Sequence, residues 1–436
     1  MITYKKMITH YLEIKRKRVF SVLLAGLLIS DALFGAAEQP SADKFRVLFY
    51  GQSITAETGW TNEVAKRLEA KYPDIDFEFH NPAIGGFTSP ALVRTAEHDL
   101  YPWYPDLLIF HVYGPAAPYE DIIRRTLERT TAEIVIQTDH VDVEKADHGI
   151  EKLRLEETLE RQAIAAKYGA HVADVNTKWR AYLDATGRPA KDFLRDYIHH
   201  NADGIKLMAD FVFEDIKDLP VFSNRNQTHK TTIGLNDSRV RSLPEGGVEL
   251  RFEGNRVEVL VTEGIKNCVE FELRVDGELL EDSPDFWQAT RPSRIGRPHS
   301  LYWMPAIRNV FFNVAPIEEK WTLTVESSES GRMGFRVDGS VTGFDGRGFA
   351  DQDFVSNSGR VVVESRAWTK RDLPAGKVVT WETYPTFTRS TSDWVVGEYQ
   401  LLFQGCSNAE HVLAIHPRAG AEVTGIEGFR VLRPSN

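Results

Sequence analysis

The chain of 436 residues is poor in cysteine, with only Cys268 and Cys406. Two cysteines exclude a disulfide-dense scaffold and a Cys-rich zinc module. Basic charge is also in deficit: 52 Lys and Arg stand against 63 Asp and Glu, a net of −11. That balance argues against a broad nucleic-acid surface. There is no low-complexity tract and no fixed-period repeat. Beyond the N-terminal segment no apolar run is long enough to cross a bilayer. At 42% hydrophobic and 26% charged residues, the composition is globular and excludes a disordered, collagen-like or coiled-coil chain. The length suits two or three domains of about 100–200 residues each.

Residues 1–37 read as an address. Lys5, Lys6, Lys15, Arg16, Lys17 and Arg18 precede an apolar run from Val19 to about Phe34, broken by Asp31, which ends in Gly35-Ala36-Ala37. A basic region, a short apolar region and small residues describe a secretory signal peptide. An uncleaved anchor would need a longer run without a carboxylate. The expected location is therefore exported, periplasmic or extracellular, with no membrane association after cleavage. Without this segment 46 basic residues remain against 61 acidic ones, the charge of a soluble protein not drawn to anionic lipid. Export leaves two states open for Cys268 and Cys406, a bridge or two buried thiols.

Two periodicities follow. From Phe45 to about Leu219, short apolar strands (45–50, 76–80, 106–112, 132–137, 171–175) alternate with amphipathic helices (61–72, 119–131, 151–168, 203–216). This pattern predicts an α/β fold with a parallel sheet covered on both faces, whose site lies at the carboxyl ends of the strands. After Leu219-Pro220, β-branched alternating segments separated by Gly246-Gly247, Gly254-Asn255, Asp276-Gly277 and Asp345-Gly346 predict an all-β sandwich or jelly roll, as one large unit or two small ones. The expected domains are 1–37, 38–220 and 221–436.

Three points in the α/β half could carry chemistry. Gly51-Gln52-Ser53 ends the first strand; a Ser on such a turn exposes its hydroxyl at the sheet edge, though Ser there also serves as an ordinary helix cap. Asn81-Pro82-Ala83-Ile84-Gly85-Gly86 follows the second strand and can present a backbone N–H to an oxyanion, or be a plain turn. Asp196-Tyr197-Ile198-His199 precedes the last helix; a spacing of three lets the carboxylate fix the imidazole, or leaves both in a surface loop.

In their order along the chain these blocks resemble the SGNH (GDSL-like) hydrolase superfamily, over residues 44–217. The resemblance implies a flavodoxin-like three-layer α/β/α sandwich, a Ser53–His199–Asp196 triad, and an oxyanion hole from the Ser53 and Gly86 amides. Two departures stand out. Gln52 replaces the usual Asp, as in sialate O-acetylesterase-like members, which points to carbohydrate esters. Ala116 stands where the third block has an Asn donor. Gln52, His111, Tyr113 and His140 are the candidates for substrate contact, and His111, Tyr113 and the Gln137-Thr138-Asp139-His140 segment are those for replacing that donor. The reading calls for no metal and no cofactor.

The β half holds six of the nine Trp: Trp287, Trp303, Trp321, Trp368, Trp381 and Trp394. An exposed subset, above all in 283–305, would make a sugar platform; otherwise they fill a core. The expected protein is an exported serine esterase acting on a carbohydrate ester, with no nucleic-acid partner. Two alternatives stay open: a glycoside hydrolase using acids among Glu57, Glu120, Asp139 and Asp196, and a glycan-binding protein with a decayed hydrolase domain.

Overall fold

A computed structural model describes residues 44–142, 150–225, 227–264, 270–292, 304–329, 332–418 and 424–435. Residues 1–37, Trp303 and Cys268 lie outside the described residues. Cys406 is unbridged.

The α/β half places β1 (Phe45–Gly51), α1 (Ser53–Ala56), α2 (Gly59–Lys71), β2 (Phe77–His80), α3 (Ser89–Asp99), β3 (Leu107–His111), α4 (Ala116–Arg129), β4 (Glu133–Gln137), α5 (Ile150–Tyr168), β5 (His171–Ala173), α6 (Val175–Thr186) and α7 (Ala202–Ile216) in order. The five strands pair in parallel as β2-β1-β3-β4-β5. Strand alternation divides their side chains between two cores. Phe45, Val47 and Phe49 face α2, α6 and α7 through Trp60, Val64, Trp179, Met208 and Val212. Leu48 and Tyr50 face α3, α4 and α5 through Leu92, Ala96, Tyr119, Ile122 and Ile164. This is the three-layer α/β/α fold that the alternating pattern predicts.

Two helices escape the periodicity. In α3 the buried residues include Ser89, Thr95 and Asp99 beside Ala91, Leu92 and Ala96, so the apolar stripe is faint. The run His171–Val175 reads as strand, yet Asp174 accepts the Thr177 N–H and starts α6.

The β half is antiparallel. One seven-stranded sheet is built on Val248–Val261 and Tyr399–Pro417, which pair along most of their length. A five-stranded sheet contains Trp287–Ala289, Val378–Pro385, Glu319–Glu329, Arg332–Gly339 and Gly343–Phe349. The sheets have separate cores, one around Val257, Val259, Phe403 and Phe429 and one around Trp321, Phe335, Trp368 and Trp381. Phe312 packs against both.

Two expected turns are strand interior. Val248–Val261 runs unbroken through Gly254-Asn255, because buried Asn255 has its polarity used elsewhere: Oδ1 accepts from Tyr104 Oη at 2.8 Å and Nδ2 donates to Arg129 O at 3.0 Å. Asp345-Gly346 lies inside Gly343–Phe349, where the Asp345 carboxylate takes the N–H and hydroxyl of Ser358 at 2.8 and 2.7 Å.

The two halves share a polar seam. Asp106 bonds the Arg46 N–H at 2.9 Å and Lys230 Nζ at 3.3 Å. Gln404 donates to Pro102 O at 2.7 Å, and Arg94 pairs with Glu364 at 2.8 Å. His98 donates through Nδ1 to Ala289 O at 2.8 Å and accepts the Val310 N–H at Nε2, 3.2 Å.

Candidate active site

The site begins at the end of β1. Gly51 pairs with His111 of β3, and a Cβ there would lie 2.2 Å from the His111 carbonyl oxygen. Only glycine lets the strands close at this point. The chain then turns directly into α1. Gln52 caps that helix, its Oε1 accepting the Ile54 N–H at 3.3 Å. Ser53 is the first helical residue, so its N–H has no intrahelical acceptor.

The second contributor is the loop before α7. Leu194 and His200 form an antiparallel bridge, and the Arg195 N–H donates to His199 O at 2.9 Å. Asp196 Oδ1 accepts the Ile198 and His199 N–H groups at 2.9 and 2.7 Å, a local turn that Asp favours. Neighbouring histidines take opposite directions. His200 is buried against His140 and Trp179, and burial, aided by the charges of His111 and His199, lowers its pKa to about 3. His199 points outward to Ser53. Asn201 ends the loop by capping α7 through the Asp203 and Gly204 N–H groups, both at 3.0 Å.

The two turns meet. His199 Nε2 lies 2.9 Å from Ser53 Oγ, and His199 Nδ1 lies 2.9 Å from Asp196 Oδ2. Burial pushes the Asp196 carboxyl up, but the His199 and Ile198 N–H groups and the imidazole outweigh it and hold the pKa at about 2. A carboxylate on Nδ1 fixes that nitrogen as N–H and leaves the Nε2 lone pair toward the hydroxyl.

The turn after β2 borders this centre. The Asn81 side chain donates to Thr55 O at 2.8 Å and the Ile84 N–H to Gly51 O at 3.0 Å, so the turn hangs on the Ser53 turn itself. Gly86 has φ +79, the region that favours glycine, and its N–H has no hydrogen-bond partner among the described residues.

The other sequence candidates fall in different places. Gln52 is buried; its Oε1 lies 2.7 Å from Ser53 Oγ, and its Nε2 has no partner among the described residues. His111 is buried in β3 with Nε2 2.8 Å from Asp139 Oδ1. His140 is fully buried and contacts Ile198 O at 2.8 Å, so it braces the loop of Asp196 and His199 from behind. Tyr113 is half-buried on the turn after β3, where its carbonyl accepts the Ser89 N–H at 3.0 Å. Ala116 begins α4. Two further charges stand at the site. Glu57 Oε1 lies 3.8 Å from His199 Nε2 and 2.5 Å from Arg195 Nη2. Arg195 carried no signal in the sequence beyond its place next to Asp196.

The tryptophans are largely core. Trp287, Trp321, Trp368 and Trp381 are buried, and Trp394 packs on Phe271.

Fold and site define a three-layer α/β/α protein with a Ser–His–Asp hydrogen-bond chain at the carboxyl edge of a parallel sheet. No protein-family model matches the chain, and no curated protein matches it. Among solved structures it matches Axe2, an acetylxylan esterase from Geobacillus stearothermophilus, at 19% identity and TM-score 0.36, over 41% of this chain and 95% of that one. It also matches a protein of Parabacteroides merdae described as a GDSL-like lipase, at 17% identity and TM-score 0.35, over 41% of this chain and 98% of that one. No described helix is long and apolar enough to cross a membrane.

Proposed function

We propose that the protein is a serine ester hydrolase that removes acetyl or similar short acyl groups from a carbohydrate. The observation that carries this reading is the unbroken line from Asp196 Oδ2 through His199 to Ser53 Oγ, with 2.9 Å at each step.

In the proposed reaction His199 Nε2 takes the Ser53 proton as Oγ attacks the ester carbonyl. Asp196 orients the imidazole and stabilises the imidazolium. The tetrahedral oxyanion is held by the Ser53 and Gly86 amides. Collapse expels the sugar alkoxide, which takes the proton from His199. Water, activated by the same nitrogen, then releases the acid and restores Ser53. With Ala116 at the third block, the Gln52 amide beside Oγ is the side-chain candidate for the missing donor: the one Ser53 proton goes to His199 Nε2 in the reaction, and a flip of the amide then turns its enclosed Nε2 from the interior toward Oγ.

The charged surroundings support a short acyl group and a hydroxyl-rich alcohol. Glu57 and Arg195 stand beside His199, a rim suited to sugar hydroxyls and costly for a long apolar chain to displace. The acid-pair chemistry of a glycosidase finds less support, because Glu120 is engaged with Lys167 and Tyr168 and Asp139 with His111.

The test is turnover of p-nitrophenyl acetate, butyrate and octanoate, and acetate release from acetylated xylo-oligosaccharides, by the wild type and Ser53→Ala. Ser53-dependent cleavage that falls with chain length is expected. Ester cleavage undiminished in Ser53→Ala, or new reducing ends without acetate, would overturn the reading.

A further inference from the structure

The turn that carries Gly86 is held from two directions. Its inner side hangs on the Ser53 turn through Asn81 to Thr55 O and Ile84 N–H to Gly51 O. Its outer side is held from the β half. Arg291, two residues beyond the strand Trp287–Ala289, donates from Nη1 to Pro82 O and to Asp99 Oδ2, both at 2.9 Å. Pro82 lies in the turn itself, and Asp99 is the buried last residue of α3. The backbone beside Arg291 is docked as well, since Ala289 O accepts from His98 Nδ1. The arginine is therefore a strut from the second domain-sized half of the chain to a loop of the first.

A carbonyl at the second residue of a short turn is an effective place to fix it. With Asn81 and Ile84 tied on one side and Pro82 on the other, little freedom remains for the amide of Gly86. An oxyanion donor must stand at hydrogen-bond distance from where the charge develops, not from the ground-state carbonyl. A misplacement of about 1 Å can cost about 10²-fold in rate.

We propose that Arg291 is a positioning residue for the ester hydrolysis, through which the β half sets the Gly86 amide for the oxyanion. This rests on the Ser53 reading above. It gives the β half a part in the chemistry itself, apart from any role in holding a glycan. A guanidinium suits the task because the two N–H groups of Nη1 lie in one fixed plane and serve the carbonyl and the carboxylate together, an aim that the freely rotating ammonium of a shorter lysine holds less well.

The test uses the full chain with Arg291→Ala, Arg291→Lys and, as a control on the same seam, Arg94→Ala, which removes the pair with Glu364 without touching the turn. Steady-state hydrolysis of p-nitrophenyl acetate, thermal midpoints, and affinity for a boronic acid that forms a tetrahedral adduct with the serine are measured for each. Arg291→Ala is expected to lose about 10–100-fold in kcat at little-changed KM and to lose boronate affinity in parallel. Arg291→Lys recovers part of the loss, and added guanidinium ion at non-denaturing concentration restores part of the Arg291→Ala rate. Arg94→Ala keeps its kcat. A kcat within twofold of wild type in Arg291→Ala, or equal losses in Arg291→Ala and Arg94→Ala, overturns the proposal. Ser53→Ala is run alongside: full activity in that variant overturns the serine reading instead, which separates the two failures.

Discussion

His199 Nε2 and Ser53 Oγ, 146 positions apart in sequence, lie 2.9 Å from each other. Each sits on a turn whose geometry is set locally, Ser53 by the Gly51 close approach and His199 by the Asp196 turn. The hydrogen bond between them is where the first strand and the last helix of the α/β half come into register.

Removal of either end of that line should stop the chemistry. Ser53→Ala and His199→Ala are expected to lose on the order of 10⁴-fold or more in kcat, and Asp196→Asn on the order of 10³–10⁴-fold. Ser53 is half-buried and His199 and Asp196 are partly exposed, so thermal midpoints should stay near wild type. Steady-state kinetics and calorimetry on the three variants check both statements.

Gly51→Ala should act on structure and activity together. The added Cβ would lie 2.2 Å from the His111 carbonyl, a backbone atom that cannot swing aside. We expect a loss of roughly 2–4 kcal/mol in denaturant unfolding and little residual turnover.

Gln52→Glu keeps the shape and the acceptor of the side chain but replaces its free donor. If Nε2 serves the oxyanion, kcat should fall about 10²–10³-fold with little change in KM. Gln52→Ala should fall similarly and also lose the cap on Ile54, lowering the thermal midpoint. Equal kcat in wild type and Gln52→Glu would remove Gln52 from the oxyanion hole.

The seam between the halves should be acid-sensitive. Burial, followed by the opposing influence of Glu97, leaves the His98 pKa at about 4, below its ordinary 6.5. Between those values the unfolded chain binds a proton that the folded chain refuses. Stability from this residue is therefore present above about pH 6.5 and lost as pH falls toward about 4. The loss is on the order of 1–3 kcal/mol. His98→Gln should flatten that slope in unfolding measured from pH 7 to pH 4.5.

Much of this was legible in the sequence, and the exceptions have causes. The strands of the α/β half are continuous apolar runs because both faces are buried, which gives a strong signal. The three blocks of the site were legible because each is a local turn whose residues announce it: Gly51 by its lack of a side chain, Asp196 and His199 by their spacing. Helix α3 was hidden by Ser89, Thr95 and Asp99 on its buried face, which bond to Pro115 O, Tyr50 Oη and Arg291 and interrupt the apolar stripe. Gly254-Asn255 reads as a turn in the sequence because the real partners of Asn255, Tyr104 and Arg129, lie more than a hundred positions away. Arg291 and His98 were silent for the same reason: a single polar residue gives no periodicity, and its meaning comes only from the tertiary partner.

The most direct measurement of the central claim is covalent labelling of the purified protein with a fluorophosphonate, read by peptide mass spectrometry. The account predicts one adduct per chain, located on Ser53, with loss of esterase activity in proportion to labelling. It predicts no adduct in Ser53→Ala and a greatly slowed reaction in His199→Ala. Labelling at another residue, or full esterase activity in the completely labelled protein, would contradict it.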